Sequence, residues 1–140
     1  MSLPHYSVRD VMTPSAITVA AADNLHDAQE VMARNGIRHL PVLDGANLVG
    51  VLSDRDIAVA LSFKGNNPKN TIAAEVAARD IYVTHPASPL AEVAAEMAEK
   101  RYGSAVVTEG DDVVGIFTTT DACRALGQLL TPGSDLLAHS

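Results

Sequence analysis

An α+β fold made from two copies of one β-α-β-β-α unit is what this sequence predicts, and three observations carry that prediction. The chain matches itself at an offset of 65, short β-branched runs alternate with helical spacing, and each half has two apolar runs flanking a Gly-containing turn. Between residues 25 and 61 the offset needs no gap, and 10 of 37 positions are identical to their partners. Leu25 meets Leu90, Met32 meets Met97, Gly50 meets Gly115 and Asp56 meets Asp121. Other pairs are like for like, among them Asp27 with Glu92 and Ser53 with Thr118. The regularity marks a tandem duplication.

The elements follow in order. "AITV" (16–19) is a β-branched run that reads as a strand. "DNLHDAQEVMARNG" puts Leu25, Ala28, Val31 and Met32 on one helical face, with Asp23 or Asn24 as the cap and Gly36 as the stop. "RHLPVLDGANLVGVLS" gives two strands about an Asp-Gly hairpin turn, and "DRDIAVALSF" returns to helical spacing. The second half repeats this with "IYVT" (81–84), then a helix opened by Pro89 in "SPLAEVAAEMAEKRYG". "SAVVTEGDDVVGIFT" is its hairpin and "TTDACRALGQLL" its last helix. "SVRDVM" (7–12) and "TIAAEV" (71–76) read as lead-in helices, each assigned to the unit that follows it. The expected boundaries are a first unit with its lead-in at 1–63, a linker at 64–70, a second unit at 71–130 and a tail at 131–140. One unit of ~50–60 residues with three strands is marginal alone. The two copies are therefore expected to pack sheet to sheet, as an α/β sandwich-like globule with pseudo-twofold symmetry.

Composition narrows the function. Apolar residues are 47% of the 140 and aromatics only 4%. A net charge of −7 argues against a general nucleic-acid binder, since neutralising phosphates needs a basic surface. One cysteine, Cys123, excludes an intrachain disulfide, fits a reducing cytoplasm and is expected to be a small buried core residue. No apolar leader and no run of ~18 apolar residues occurs, so a soluble, cytoplasmic protein without membrane contact is expected.

Two elements remain: Ser53-x-x-Asp56 and Thr118-x-x-Asp121, each between a strand and a helix. As a capping box, the hydroxyl accepts from the third backbone N–H and the acid reaches back to the cap. The same turn also points N–H groups and a positive dipole end outward, which suits a phosphate. Its carboxylate is chemically suited to accept from the vicinal hydroxyls of a ribose. On the residues alone, cap and ligand site both stand.

The lines "DVMTPSAITV", "LHDAQEVMARNGIRHLPVLD", "NLVGVLSDRDI" and "LAEVAAEMAEKRYGSAVVTEGDDVVGIFTTTDA", taken in order, resemble the cystathionine-β-synthase (CBS) domain. Its tandem pair is called a Bateman module. The resemblance runs from about Val8 to Leu126 and implies two clefts between the units that bind adenosine nucleotides such as AMP, ADP or ATP. It assigns phosphate contact to Ser53 and Thr118 and ribose contact to Asp56 and Asp121. It places Ile17, Thr18 and Val19, and Tyr82, Val83 and Thr84, along the base pockets. Arg38 and His39 then enter the phosphate region, with Arg55 a nearby cation. At the equivalent second-copy positions stand Gly103, Ser104 and Thr120. The cations are thus concentrated in copy one, and one competent site is expected. The resemblance also implies a homodimer through the helices, compatible with the alanine-rich "AEVAAEMAEK", and regulation of a separate target protein.

Little else reads as chemistry. His26 and Glu30 lie four apart on a helix, a spacing a metal can use but a solvated pair explains. No phosphate-loop, dinucleotide or nucleophile-elbow motif occurs, and no catalytic residue or required cofactor is expected. The two readings are a non-catalytic regulatory module that senses an adenosine nucleotide and a structural dimerisation module with no such ligand.

Overall fold

The computed structural model describes residues 5–14, 17–63 and 65–133. Its elements, in chain order, are β1 (Thr13–Pro14), β2 (Val19–Ala20), α1 (Leu25–Asn35), β3 (His39–Asp44), β4 (Asn47–Ser53), α2 (Asp54–Leu61) and α3 (Ala73–Val76). Then come β5 (Val83–Thr84), α4 (Leu90–Lys100), β6 (Ser104–Glu109), β7 (Asp112–Thr118) and α5 (Thr119–Leu130). The fold is α+β with two sheets, ordered β2-β3-β4 and β1-β7-β6-β5.

The helices start and stop where the side chains dictate. Asn24 caps α1 by accepting from the Asp27 N–H at 2.8 Å, which leaves Gly36 to end the helix in the left-handed region at φ 63°. Pro89 is the N-cap of α4, one position earlier than its expected place inside the first turn. In both sheets a two-residue turn joins antiparallel strands, with Asp44 opposite Asn47 and Glu109 opposite Asp112. The first strands of the repeats are shorter than the apolar runs suggested. Only Val19–Ala20 and Val83–Thr84 pair, each parallel to the strand after its helix. Ala16 lies outside the described residues.

The described residues form two compact units, one within 17–81 and the other from those of 1–16 together with those of 82–140. They differ from the contiguous stretches 1–63 and 71–130 because each lead-in packs on the other repeat. The Leu25 N–H donates to the Thr71 carbonyl at 2.9 Å, and Val51 bridges Ala78. In the same way Leu90 donates to the Tyr6 carbonyl at 2.8 Å, and β1 pairs with β7. The expected lead-in at 7–12 is a single 3-10 turn, Val8–Asp10, followed by β1. Gly115 makes this approach possible, since a Cβ there would meet the Thr13 carbonyl oxygen at 2.8 Å.

Each unit has its own core. In one, Leu25, Ala28 and Met32 of α1 bury against Leu40, Val42, Leu52 and Ile57. In the other, Val93 and Met97 of α4 bury against Ala105, Val107 and Phe117, with Val8 of the lead-in. Phe117 and Leu52 hold the same place in the repeat and both are fully buried. Cys123 is exposed on α5, contrary to expectation. Its helix buries Asp121 and Ala125, and position 123 falls outside that stripe.

Candidate functional site

Both Ser53 and Thr118 end a strand in extended backbone and cap the helix that follows. The Asp56 N–H donates to Ser53 Oγ at 3.0 Å, and the Asp121 N–H donates to Thr118 Oγ1 at 3.2 Å. A further backbone bond fixes each turn to the preceding strand entry. Asp54 donates to the Arg38 carbonyl at 3.0 Å, and Thr119 donates to the Gly103 carbonyl at 3.1 Å. The hydroxyls are thus engaged as caps in both copies.

The carboxylates are not equivalent. Asp121 is buried, only 4% exposed, and three donors converge on it. The Thr118 N–H donates to its Oδ2 at 3.0 Å, completing a capping box. Thr13 Oγ1 donates to Oδ1 at 3.1 Å and to Oδ2 at 3.2 Å, and Arg124 Nη1 lies 3.0 Å from Oδ1. The Thr13 hydroxyl shares its one proton between the two oxygens, so three donors engage both oxygens of Asp121. Asp56 is half-buried, and its carboxylate accepts no hydrogen bond among the described residues.

The offset of 65 explains the difference. Thr13 corresponds to Ala78 and Arg124 to Val59, so copy one lacks both donors. The space beside each acid follows suit. Asp56 and Arg55 line a cavity of about 360 Å³ with Val59, Phe63 and Glu75. The matching hollow at Asp121 and Arg124 holds about 170 Å³. Sequence reasoning missed Thr13 and Arg124; the signal was present in the offset but only acts through the exchanged lead-in.

The other expected site residues divide. Arg55 is exposed beside Asp56, whereas Arg38, also exposed, lines a separate cavity of about 380 Å³ with Asp54 and Ile57. The first copy's cations therefore do not converge on one hollow of their unit. His39 is half-buried and sits opposite Ser53 in the β3–β4 register. Asp54 and Asp56 already place two negative charges on the first turn of α2. Ile17 and Thr18 are half-buried beside β2, but Val19 is buried in the core and offers no side chain. In copy two, Val83 and Thr120 are exposed and Thr84 is half-buried. Tyr82 stacks on Tyr102 with ring centroids 5.3 Å apart, and its carbonyl accepts from the Val106 N–H at 2.8 Å. Burial, then the charges of Glu96 and Glu92, push its phenol above the usual tyrosine range.

Among the described residues one group has metal-ligand spacing: His26, Asp27 and Glu30, with a ligand atom from each within 4.8 Å of the others. His26 Nε2 lies 3.3 Å from Glu30 Oε1, the geometry of an ordinary i,i+4 surface pair. No helix of the described residues is long and apolar enough to cross a membrane.

Comparison with known proteins gives consistent results. The family model described as "CBS domain" matches twice, at residues 8–62 and 73–128. The L-aspartate semialdehyde sulfurtransferase of Methanocaldococcus jannaschii is 32% identical over 91% of this chain, but the match covers 24% of that enzyme. This chain thus spans about a quarter of the length of that enzyme. Hypoxic response protein 1 of Mycobacterium tuberculosis is 30% identical, with 86% of this chain and 85% of that protein covered. Among solved structures, the CBS domain pair of protein MJ0100 superposes with a TM-score of 0.80 at 28% identity, covering 89% of this chain and 98% of that one. It is a complex with 5'-methylthioadenosine and S-adenosyl-L-methionine.

Proposed function

This chain belongs to the CBS-domain family, and from that premise we propose that it is a non-catalytic regulatory module that senses an adenosine nucleotide at the Ser53–Asp56 turn. The observation that carries the reading is the open Asp56 carboxylate, which borders a cavity of about 360 Å³ while both oxygens of its counterpart Asp121 are engaged. A ribose supplies the two vicinal O–H donors this carboxylate lacks. Arg55, beside it, has the planar fork of donors that suits a phosphate. AMP, ADP and ATP share both features. Methylthioadenosine and S-adenosylmethionine keep the ribose but lack the phosphate, so they separate the two contributions. The enzymes among the relatives share only this fraction of their length, and no catalytic residue is assigned here.

A thermal-shift panel with AMP, ADP, ATP and S-adenosylmethionine tests the reading. A ligand at 100 times its dissociation constant stabilises by about 2.7 kcal/mol. The expected result is a rise in Tm with at least one nucleotide, lost in Asp56→Ala. No rise with any of the four would refute it.

A second reading, as a dimerisation module, is favoured by a different observation. Tyr6, Leu90, Ala94, Leu126 and Leu129 line an apolar groove of about 410 Å³, and Leu130 is exposed nearby. We propose in this reading a homodimer through this face that forms with no nucleotide bound. Sedimentation equilibrium of the wild type and Leu126→Glu tests it: a dimer converted to monomer is expected, and a monomeric wild type would overturn it.

A further inference from the structure

We propose that the turn of the second repeat is held shut by its own chain, with Thr13 and Arg124 taking the Asp121 oxygens that a ribose would need. The inference rests on the reading of the Ser/Thr-x-x-Asp turn as a ribose site. Thr13 Oγ1 is an aliphatic hydroxyl sharing its one proton between both carboxylate oxygens, at 3.1 and 3.2 Å, the O–H donor chemistry that each hydroxyl of a ribose presents. Arg124 adds a charge-assisted bond at 3.0 Å. Neither donor exists at the matching positions of the first repeat, Ala78 and Val59.

The contact is not a local cap. Thr13 is 108 residues from Asp121 and reaches it because β1 pairs with β7, Thr13 opposite Ile116 and Pro14 opposite Gly115. A ligand that claimed Asp121 would have to replace Thr13 donor for donor and loosen β1. A site that must first open binds with its affinity reduced by the open fraction. The first repeat therefore fills first, and filling the second moves the N-terminal lead-in. That makes Thr13 a positioning residue and the lead-in an autoinhibitory strap.

The test makes the second repeat resemble the first. Thr13→Ala/Arg124→Val installs the residues found at 78 and 59, and the reciprocal Ala78→Thr/Val59→Arg installs the strap in the first repeat. AMP is titrated calorimetrically into the full chain for each. The expected stoichiometry is one per chain for wild type, two for the first variant and none for the reciprocal one. The added site is expected to vanish when Asp121→Asn is combined with the opened variant. One site in wild type that Asp56→Ala removes, still one in the opened variant, overturns the strap and leaves the ribose reading standing. No site in wild type but one in the opened variant supports the strap and overturns the reading at Asp56. Two equal sites in wild type, or none in any protein, overturns the strap. Should the opened variant fail to fold, as judged by its melting curve, an unchanged single site in the reciprocal variant overturns it too.

Discussion

Arg101 occupies the left-handed backbone position that ends α4, at φ 60° and ψ 38°, where Gly36 ends α1 at φ 63° and ψ 33°. Each donates its N–H to the carbonyl four residues back, Met97 or Met32, so the two helices close with the same bond. An L side chain in this region costs about 1–2 kcal/mol. Arg101→Gly is therefore expected to stabilise the chain by about 1 kcal/mol in urea unfolding, and Gly36→Ala to destabilise it by about as much. Nothing lies within 4 Å of a Cβ built at Gly36, so the cost there is conformational only. Equal stability of all three proteins would contradict this.

Gly115 and Gly50 test the exchange of lead-ins. A Cβ at Gly115 meets the Thr13 carbonyl oxygen at 2.8 Å, and one at Gly50 meets the Ala78 carbonyl oxygen at 2.9 Å. Backbone cannot yield as a flexible side chain does, so either alanine substitution is expected to cost about 1–3 kcal/mol. Chemical denaturation measures it. A neutral result at both sites would mean the lead-ins do not lie on these strands.

The two phenylalanines should respond oppositely. Phe117 is fully buried in its core, and Phe117→Ala is expected to cost about 3–5 kcal/mol. Phe63 is 64% exposed, and Phe63→Ala is expected to change stability by no more than about 0.5 kcal/mol. Similar losses at both would contradict the described burial.

Tyr82 gives a pH dependence with a definite sign. Its phenol is held above the ordinary tyrosine range, by burial first and then by Glu96 and Glu92. Above pH ~10 the unfolded chain ionises this group while the folded chain keeps its proton. The folded state then binds more protons, so the stability present below pH ~10 falls as pH rises through the folded pKa. Tyr82→Phe is expected to lose less stability than wild type over that interval, read from urea midpoints. Parallel curves would contradict it.

Much of this was legible because the duplication lets each half check the other. Caps, hairpin turns and helix faces are local, set by Asn24, the Gly45 and Gly110 turns and the spacing of Leu25, Ala28 and Met32. The Ser53 and Thr118 caps were legible for the same reason. What escaped depends on partners far away in sequence. Ile17 and Thr18 are β-branched, yet β2 begins only at Val19, where the chain comes alongside Val42. Whether Asp121 is free or bound depends on Thr13, which no local pattern connects to it. The membership of each lead-in in the opposite unit is likewise a property of sheet-edge pairing, invisible to periodicity.

An amide-resolved NMR titration of the full chain with AMP tests most directly the proposed engagement of the first repeat's turn through Asp56. The Asp54, Arg55, Asp56 and Ile57 amides are expected to shift saturably, while those of Thr119 to Ala122 stay in place at the same AMP concentrations. No movement of the first set, or saturation of the second set before it, would contradict a nucleotide site at Asp56.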